Sequence, residues 1–456
     1  MNLKILFSGL LIFIFSVSNL LFGQCGPLNT IIIEDQSQID NFSTNYPDCT
    51  EINGRLHIEE SVPGNITNLN GLSQITKVEN LWIYYNSALT NLNGLNNIIA
   101  LSDDAASGRL RLINNTSLEN LDALENINEI LQEIKIIGNT SLTSIEGLQN
   151  VSITGPNLRI FIEENPSLQN LIGLNGITSA YFLDIIENDM LINLNGLNNF
   201  TEVSYRLKID NNQNLENLEG LNNITNVGQD GISIASNPSL ETLNGLESLI
   251  TTGSFMIGGN FALSNVEALA NLTSSGFIFS LTFNRQLANL HGLENLITVP
   301  YLFLGNNDIL NDISAIANIN LNTTYELGIH DSPQLNVCDY PNICQYLNTP
   351  SNVAYIYNNA PGCNSRIEIL QACGLIGIDE NTIVADFSIH PNPTNGTFTI
   401  SGIEEGTVQI TDSRGRLLKA FTLGKDETSL NDLAEGIYFV NVRNENVSVT
   451  KRLVKI

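Results

Sequence analysis

Side chains with the types and spacing to do chemistry fall into distinct groups in this sequence. The four histidines, His57, His291, His330 and His390, are scattered and form no HExxH pattern, and no GxSxG elbow presents a nucleophile. Acid–base work on a polysaccharide needs carboxylates clustered on neighbouring segments, usually joined by a cation. Asp103-Asp104 is the nearest pair, and it lies in the longest spacer of the chain, where a loop insertion explains it. The remaining group is cationic and aromatic: Trp82, Tyr84, Arg109, Arg111, Lys135, Arg159, Phe161, Phe182, Arg206 and Lys208. Trp, Tyr and Arg dominate binding hot spots, and aromatic rings also suit sugars. The chemistry on offer is recognition. No catalytic residue, cofactor or metal site is expected.

A repeat is what must bring this group together. LTNLNGLNNI at residues 89–98 returns in variants from LNGLSQI at 69 to ISAIANI at 313. Aligned on Gly71, Gly94, Ala123, Gly147, Gly173, Gly196, Gly220, Gly245, Ala268, Gly292 and Ala315, the steps run from 23 to 29 residues. A fixed period of about two dozen residues marks stacked repeats. Between the cores stands an Asn: Asn86, Asn115, Asn139, Asn165, Asn188, Asn212, Asn237, Asn260, Asn284 and Asn307, with Ser332 in the eleventh place. An Asn amide can bond the backbone above and below, so the column reads as a structural ladder.

Each repeat therefore predicts a short strand with residues such as Leu81 and Ile83 inward, then an Asn turn, then an LxGL corner. The fold expected is mainly β, a rod-like solenoid of about eleven coils spaced about 4.8 Å apart. Residues six, four and two places before each Asn then point outward, and these are the positions of the cationic and aromatic group. The same positions in later coils hold Ser233, Ala235, Ser254, Met256, Gly258, Ser280 and Gly305, which predicts a bland second half. The competing account is that the cations pair with Glu133, Glu163, Asp184 and Asp210 on adjacent coils, in contacts worth under about 1 kcal/mol each.

Of the 456 residues, 42% are hydrophobic and 14% charged, with a formal net charge of -28. Residues 25–385 hold 10 Lys and Arg against 38 Asp and Glu, whereas residues 386–456 hold 8 against 9. That acidity excludes a nucleic-acid partner. Residues 1–23, with Lys4 ahead of an apolar run, read as a signal peptide. Cysteines flank the repeats, at Cys25 and Cys49 before them and Cys338, Cys344, Cys363 and Cys373 after. In an exported chain they predict disulfide-stapled caps at residues 24–53 and 336–373 around a solenoid at 54–335. Cys25 then pairs with Cys49. Spacing leaves three pairings for the last four, of which Cys338–Cys363 with Cys344–Cys373 is favoured. Ser365 and Glu368 stand at capping-box spacing ahead of a short helix. Residues 374–385 read as a linker, and 386–456 as a small β-sandwich of short alternating strands.

Residues 80–98, NLWIYYNSALTNLNGLNNI, resemble the leucine-rich repeat and, more closely, the receptor L-domain, a right-handed β-helix module. The resemblance spans residues 54–335 and implies a fold and a tendency to bind macromolecules. The tail resembles the type A sorting domain of the type IX secretion system, which moves folded cargo across the outer membrane of some Gram-negative bacteria. Pro391-Asn392-Pro393 with Gly396, Asp412 with Gly415-Arg416, Leu433 with Gly436-Ile437-Tyr438, and the terminal Lys451 and Lys455 carry that likeness. It implies the type IX machinery as a partner and cleavage that leaves roughly residues 24–385 secreted or attached at the outer-membrane surface. The function expected is non-enzymatic binding or adhesion to an extracellular protein or glycan. A ligand-free structural spacer and a polysaccharide-active β-helix enzyme are the rivals.

Overall fold

The computed structural model describes residues 25, 30–101, 106–376, 387–401, 406–412, 415–423, 428–443 and 448–456. The apolar segment 1–23, Asp103-Asp104 and linker residues 377–385 lie outside them. The chain divides into two compact units, one ending at Leu375 and the other beginning at Ile376.

In the first unit the two-residue alternation of apolar and polar side chains becomes a parallel sheet of 20 strands among the described residues. Leu81 lies beside Leu110, Leu110 beside Ile134 and Ile134 beside Ile160, so each strand pairs with the one a repeat later. The same pairing runs on through Ser179–Ile186, Glu202–Asp210 and Gly231–Ala235 to Tyr301–Gly305 and Glu326–His330. Short strands such as Glu129–Ile130 and Thr251–Thr252 pair in two shorter rows beside this main one. Inward Leu and Ile are fully buried, each worth about 1.5–3 kcal/mol.

The buried Asn column connects the repeats. The Asn115 backbone N–H donates to Asn139 Oδ1 at 3.0 Å, and Asn139 Nδ2 donates back to the Leu112 carbonyl at 2.9 Å. This pattern recurs at Asn165, Asn188, Asn212, Asn237, Asn260 and Asn284. Every residue immediately before a ladder position adopts a left-handed conformation, from Tyr85 at φ 54° to Asn358 at φ 55°. Asn and Gly accept it readily, but Glu164, Glu187 and Phe283 do so at a cost of about 1–2 kcal/mol each. Corners come in two forms. Where the LxGL corner is a 3₁₀ turn, as at Asp122–Leu124, Ala can replace Gly. Where it is not, as at Gly196 with φ 119°, the left-handed backbone requires glycine.

The sheet runs past residues 54–335 in both directions. Thr30–Ile33 and Glu51–Glu59 begin it, and Val353–Tyr357 pairs with Glu326–His330 inside the expected C-terminal cap. The ladder also continues, since Asn359 Oδ1 accepts from the Ser332 N–H at 3.0 Å. Helices close the ends. Gln36–Asp40, with Asp35 and Gln38 as a capping box, buries Ile39 under the first corner. At the other end lie Pro341–Leu347 and Arg366–Ala372, and Ser365 Oγ accepts from the Glu368 N–H. The structure bonds Cys25 to Cys49, Cys338 to Cys363 and Cys344 to Cys373, with Cα separations of 4.5, 5.3 and 5.9 Å.

The second unit is antiparallel. Ser388–His390, Thr397–Ser401 and Thr428–Ser429 form one sheet; Leu417–Thr422, Thr407–Asp412, Gly436–Arg443 and Ser448–Lys455 form another. One core, including Phe387, Phe398, Ile410 and Val440, is shared between them.

Candidate functional site

Three outward columns cross the early strands. Leading residues of each strand align as Arg55, Asn80, Arg109, Glu133, Arg159, Phe182 and Arg206. The middle column runs His57, Trp82, Arg111, Lys135, Phe161, Asp184 and Lys208, and the last Glu59, Tyr84, Ile113, Ile137, Glu163, Ile186 and Asp210. All ten residues singled out in the sequence therefore share one face. Arg55 joins them and makes seven of the ten cations of residues 25–385. It escapes a sequence reading because Ser61 occupies the ladder place of its repeat, leaving no Asn to count back from.

Trp82 is stacked between guanidinium groups: Arg55 Cζ lies 4.1 Å and Arg111 Cζ 4.6 Å from its ring centroid, on the strands to either side. Tyr84 stacks beside it at 5.8 Å, and His57, bonded to Glu59 at 2.9 Å, meets both rings edge-on. The indole faces expected to meet sugars are thus covered by arginine. Further along, Lys135 Nζ lies 5.6 Å from the Phe161 ring and Arg206 Cζ 5.0 Å from Phe182.

Several cations are paired. Arg111 Nε donates to Glu133 Oε1 at 2.5 Å, and Arg159 Nη2 lies 3.8 Å from the other oxygen of that buried carboxylate. Arg206 grips buried Asp184 in bidentate fashion at 3.2 and 2.6 Å. Lys208 lies 3.1 Å from Asp210. Burial works against the Arg111 charge, but hydrogen bonds to Glu133 and Tyr84 outweigh it and hold the guanidinium above its usual range. At Arg206 the hydrogen bond to Asp184 raises the pKa against burial. Burial lifts Glu163, with the Asp184 charge adding to it, and burial lifts Asp210 against the pull of Lys208. Among the described residues Arg55, Arg109 and Lys135 have no carboxylate within 4.0 Å; Arg109 bonds only Asn80 Oδ1, at 3.4 Å.

The late strands are not bland. Phe277, Tyr301 and Tyr325 make a row with ring centroids 5.0 and 5.6 Å apart, and Phe277 and Tyr325 are 52% and 69% exposed. His330 stacks on Tyr357 at 5.0 Å. Gly328 and Gly305 are small because rings lie over them: a Cβ would meet Phe303 Cδ1 at 2.7 Å in one case and His330 Cε1 at 2.5 Å in the other. A small residue read within its own repeat gives no hint of the ring that covers it from a neighbouring strand.

Catalytic chemistry gains no support from proximity. His291 is exposed between Glu294 and Asp312, and His57 and His330 each bond one acidic neighbour. Among the described residues no group of three or more His, Cys, Asp or Glu could hold a metal ion, and no helix is long and apolar enough to cross a membrane.

In the tail, the residues picked out by sequence hold turns and strand ends. Cis peptide bonds precede Pro391 and Pro393, and Asn392 between them bonds the Val454 N–H and the Arg452 carbonyl at 2.9 and 2.7 Å. Gly396, at φ 138°, leaves no room for a Cβ against Asn431 Oδ1. Gly415 sits in a left-handed turn closed by Arg416 on Asp412. Gly436 opens the strand in which Tyr438 donates to the Ala434 carbonyl at 2.6 Å. Lys451 lies over the Phe387 ring, and Lys455 donates to the Leu430 carbonyl at 3.0 Å. A family model described as secretion system C-terminal sorting domain matches residues 388–456. The tail is a sorting domain, and it indicates export by the type IX route to a secreted or cell-surface location. No curated protein matches the chain.

Proposed function

We propose that the first unit is a non-enzymatic binding or adhesion protein, a solenoid of the leucine-rich-repeat or receptor-L kind, delivered by the tail and recognising an extracellular protein or glycan on its outer strand face. In this reading residues 1–23 are a signal peptide and the tail is removed after export. The repeat period, the parallel pairing one repeat apart and the Asn ladder support the fold assignment. The observation that carries the function is the gathering of seven of ten cations, with Trp82, Tyr84, Phe161 and Phe182, on one face of an otherwise acidic unit. Random placement on both faces and in the turns would not produce it.

The test is an array of glycans and surface proteins probed with the purified chain beside a Trp82→Ala, Arg111→Ala, Arg159→Ala variant. Saturable binding that the variant loses supports the reading. Binding that the variant keeps sinks this face as the site. A second reading, a spacer without ligand, draws on the pairing of Arg111 with Glu133 and Arg206 with Asp184. It expects no saturable binding from either form.

A further inference from the structure

At the start of the strand face a cavity of about 280 Å³ opens, lined by Thr30, Gly54, Arg55, Asn80, Trp82 and Arg109. Arg55, Asn80 and Arg109 occupy one column on three adjacent strands, so the two guanidinium groups spring from backbones roughly 10 Å apart with an amide between them. Elsewhere on this face the arginines have buried acid: Arg111 and Arg159 share Glu133, and Arg206 has Asp184. Here the column supplies Asn80 in place of a carboxylate, and among the described residues neither Arg55 nor Arg109 has an acidic partner within 4.0 Å.

A second observation points at the same place. Among the described residues just two buried side-chain donors lack a hydrogen-bond partner, Arg55 Nε and Trp82 Nε1, and both residues line this cavity. Buried donors are nearly always satisfied; these two are shut off from solvent and do not themselves reach into the cavity, but they show that this corner of the face holds fewer acceptors than donors. Guanidinium forks favour planar oxyanions, and charge-assisted bonds to them are the strong ones. The cavity lies near the lower limit for ligand pockets, room for one small group.

We propose that this cavity is an oxyanion subsite of the recognition face and takes the carboxylate of a uronic acid residue in a glycan of sparse charge. The assignment rests on the binding reading above. Thr30 and Asn80 add hydroxyl and amide partners for the hydroxyl groups of a sugar. Sparse charge follows from the host: beyond this strand face the unit, with 38 Asp and Glu against 10 Lys and Arg in all, repels a densely anionic chain. A run of acidic side chains or a heavily sulfated chain meets that repulsion wherever it runs off the face, and a uronate spaced by neutral sugars meets far less of it.

Trp82 is the sole tryptophan of the chain, so its fluorescence reports this cavity directly. The full chain is titrated at fixed ionic strength with glucuronate, with hyaluronate, whose uronates alternate with neutral sugars, with glucose and with polyglutamate. The expected result is a saturable change with glucuronate and hyaluronate and none with glucose. Arg55→Ala or Arg109→Ala then weakens binding about tenfold or more, the loss of one charge-assisted bond. Arg109→Lys keeps part of it, and Arg285→Ala, an exposed arginine outside the recognition face, leaves it unchanged. Thermal melting of each variant separates lost binding from lost folding. No saturable response in the unaltered chain, or an equal one in both alanine variants, overturns the subsite. A stronger response to polyglutamate than to hyaluronate overturns the glycan assignment. If the subsite fails while array binding that depends on Trp82, Arg111 and Arg159 persists, the recognition reading stands without it.

Discussion

Strands from Glu51 to Asp210 and strands from Ile278 to Tyr357 offer the same outward positions and fill them differently. The early set pairs Arg111 with Glu133 and Arg206 with Asp184 and stacks guanidinium groups on Trp82. The late set lays Phe303 and His330 over glycines, and Phe277 and Tyr325, each one residue ahead of a strand, stand open to solvent. Beneath both runs the same Asn ladder and the same buried Leu and Ile. The difference teaches that the interior specifies the fold alone, and that the outer face can vary in kind from one end to the other without disturbing it. The early face should act by charge and the late one by apolar contact.

The largest expected effect tests whether the interiors are equivalent. Asn165→Ala in the early part and Asn284→Ala in the late part each strand a backbone N–H and a carbonyl of neighbouring repeats, costing about 3 kcal/mol. Urea unfolding that gives clearly unequal losses would break the premise of a common interior. Next comes a pair of surface changes. Glu133→Ala leaves Arg111 and Arg159 without their shared carboxylate and should cost about 2 kcal/mol, a loss that shrinks in high salt. Gly328→Ala drives a methyl into the Phe303 ring and should cost about 1–2 kcal/mol, with no salt dependence. Equal salt dependence of the two would erase the contrast.

About 1 kcal/mol should be gained from Glu164→Gly or Phe283→Gly, because each relieves a left-handed conformation that a branched or bulky side chain resists. Both ends of the unit should respond alike, as melting curves can check. The smallest effect is one of pH. Burial and the Asp184 charge raise the Glu163 pKa in the folded chain, so the protonated form favours folding. Its contribution is fully present below the ordinary glutamate range and is lost as pH rises through the folded value. Glu163→Gln fixes the neutral form, so the melting temperature at pH 7 should rise by about 1–2 °C and the gain should vanish at pH 4. A gain that persists in acid would show that charge is not its source.

The period, the inward Leu and Ile, and the Asn column were all legible in the sequence, because each recurs at a spacing that only stacked strands explain. The outward face was legible as a set of positions. Its contacts were not, since Arg111 meets Glu133 and Arg206 meets Asp184 only after two strands 22 residues apart in sequence come into register. Arg55 was hidden by Ser61, the rings of Phe303 and His330 by glycines that look empty in one dimension, and Phe277 and Tyr325 by standing seven places before the ladder residue, one place outside the positions counted. The strands Thr30–Ile33 and Val353–Tyr357 were hidden too, because helices replace the LxGL corner beside them. The tail was legible from its turns, whose Gly and Pro positions are dictated by backbone geometry.

The ladder has a direction. Each rung borrows its acceptor from the repeat after it and returns a donor to the repeat before it, so every junction is interchangeable with every other. A gene could lose or duplicate one whole repeat and the interior would close up as before. The outer face has no such indifference: deleting the repeat that carries Asp184 would bring Arg206 beside Arg159, and a neutralised pair would become a repelling one. Length is therefore free to drift in this molecule, while the order of its surface is not.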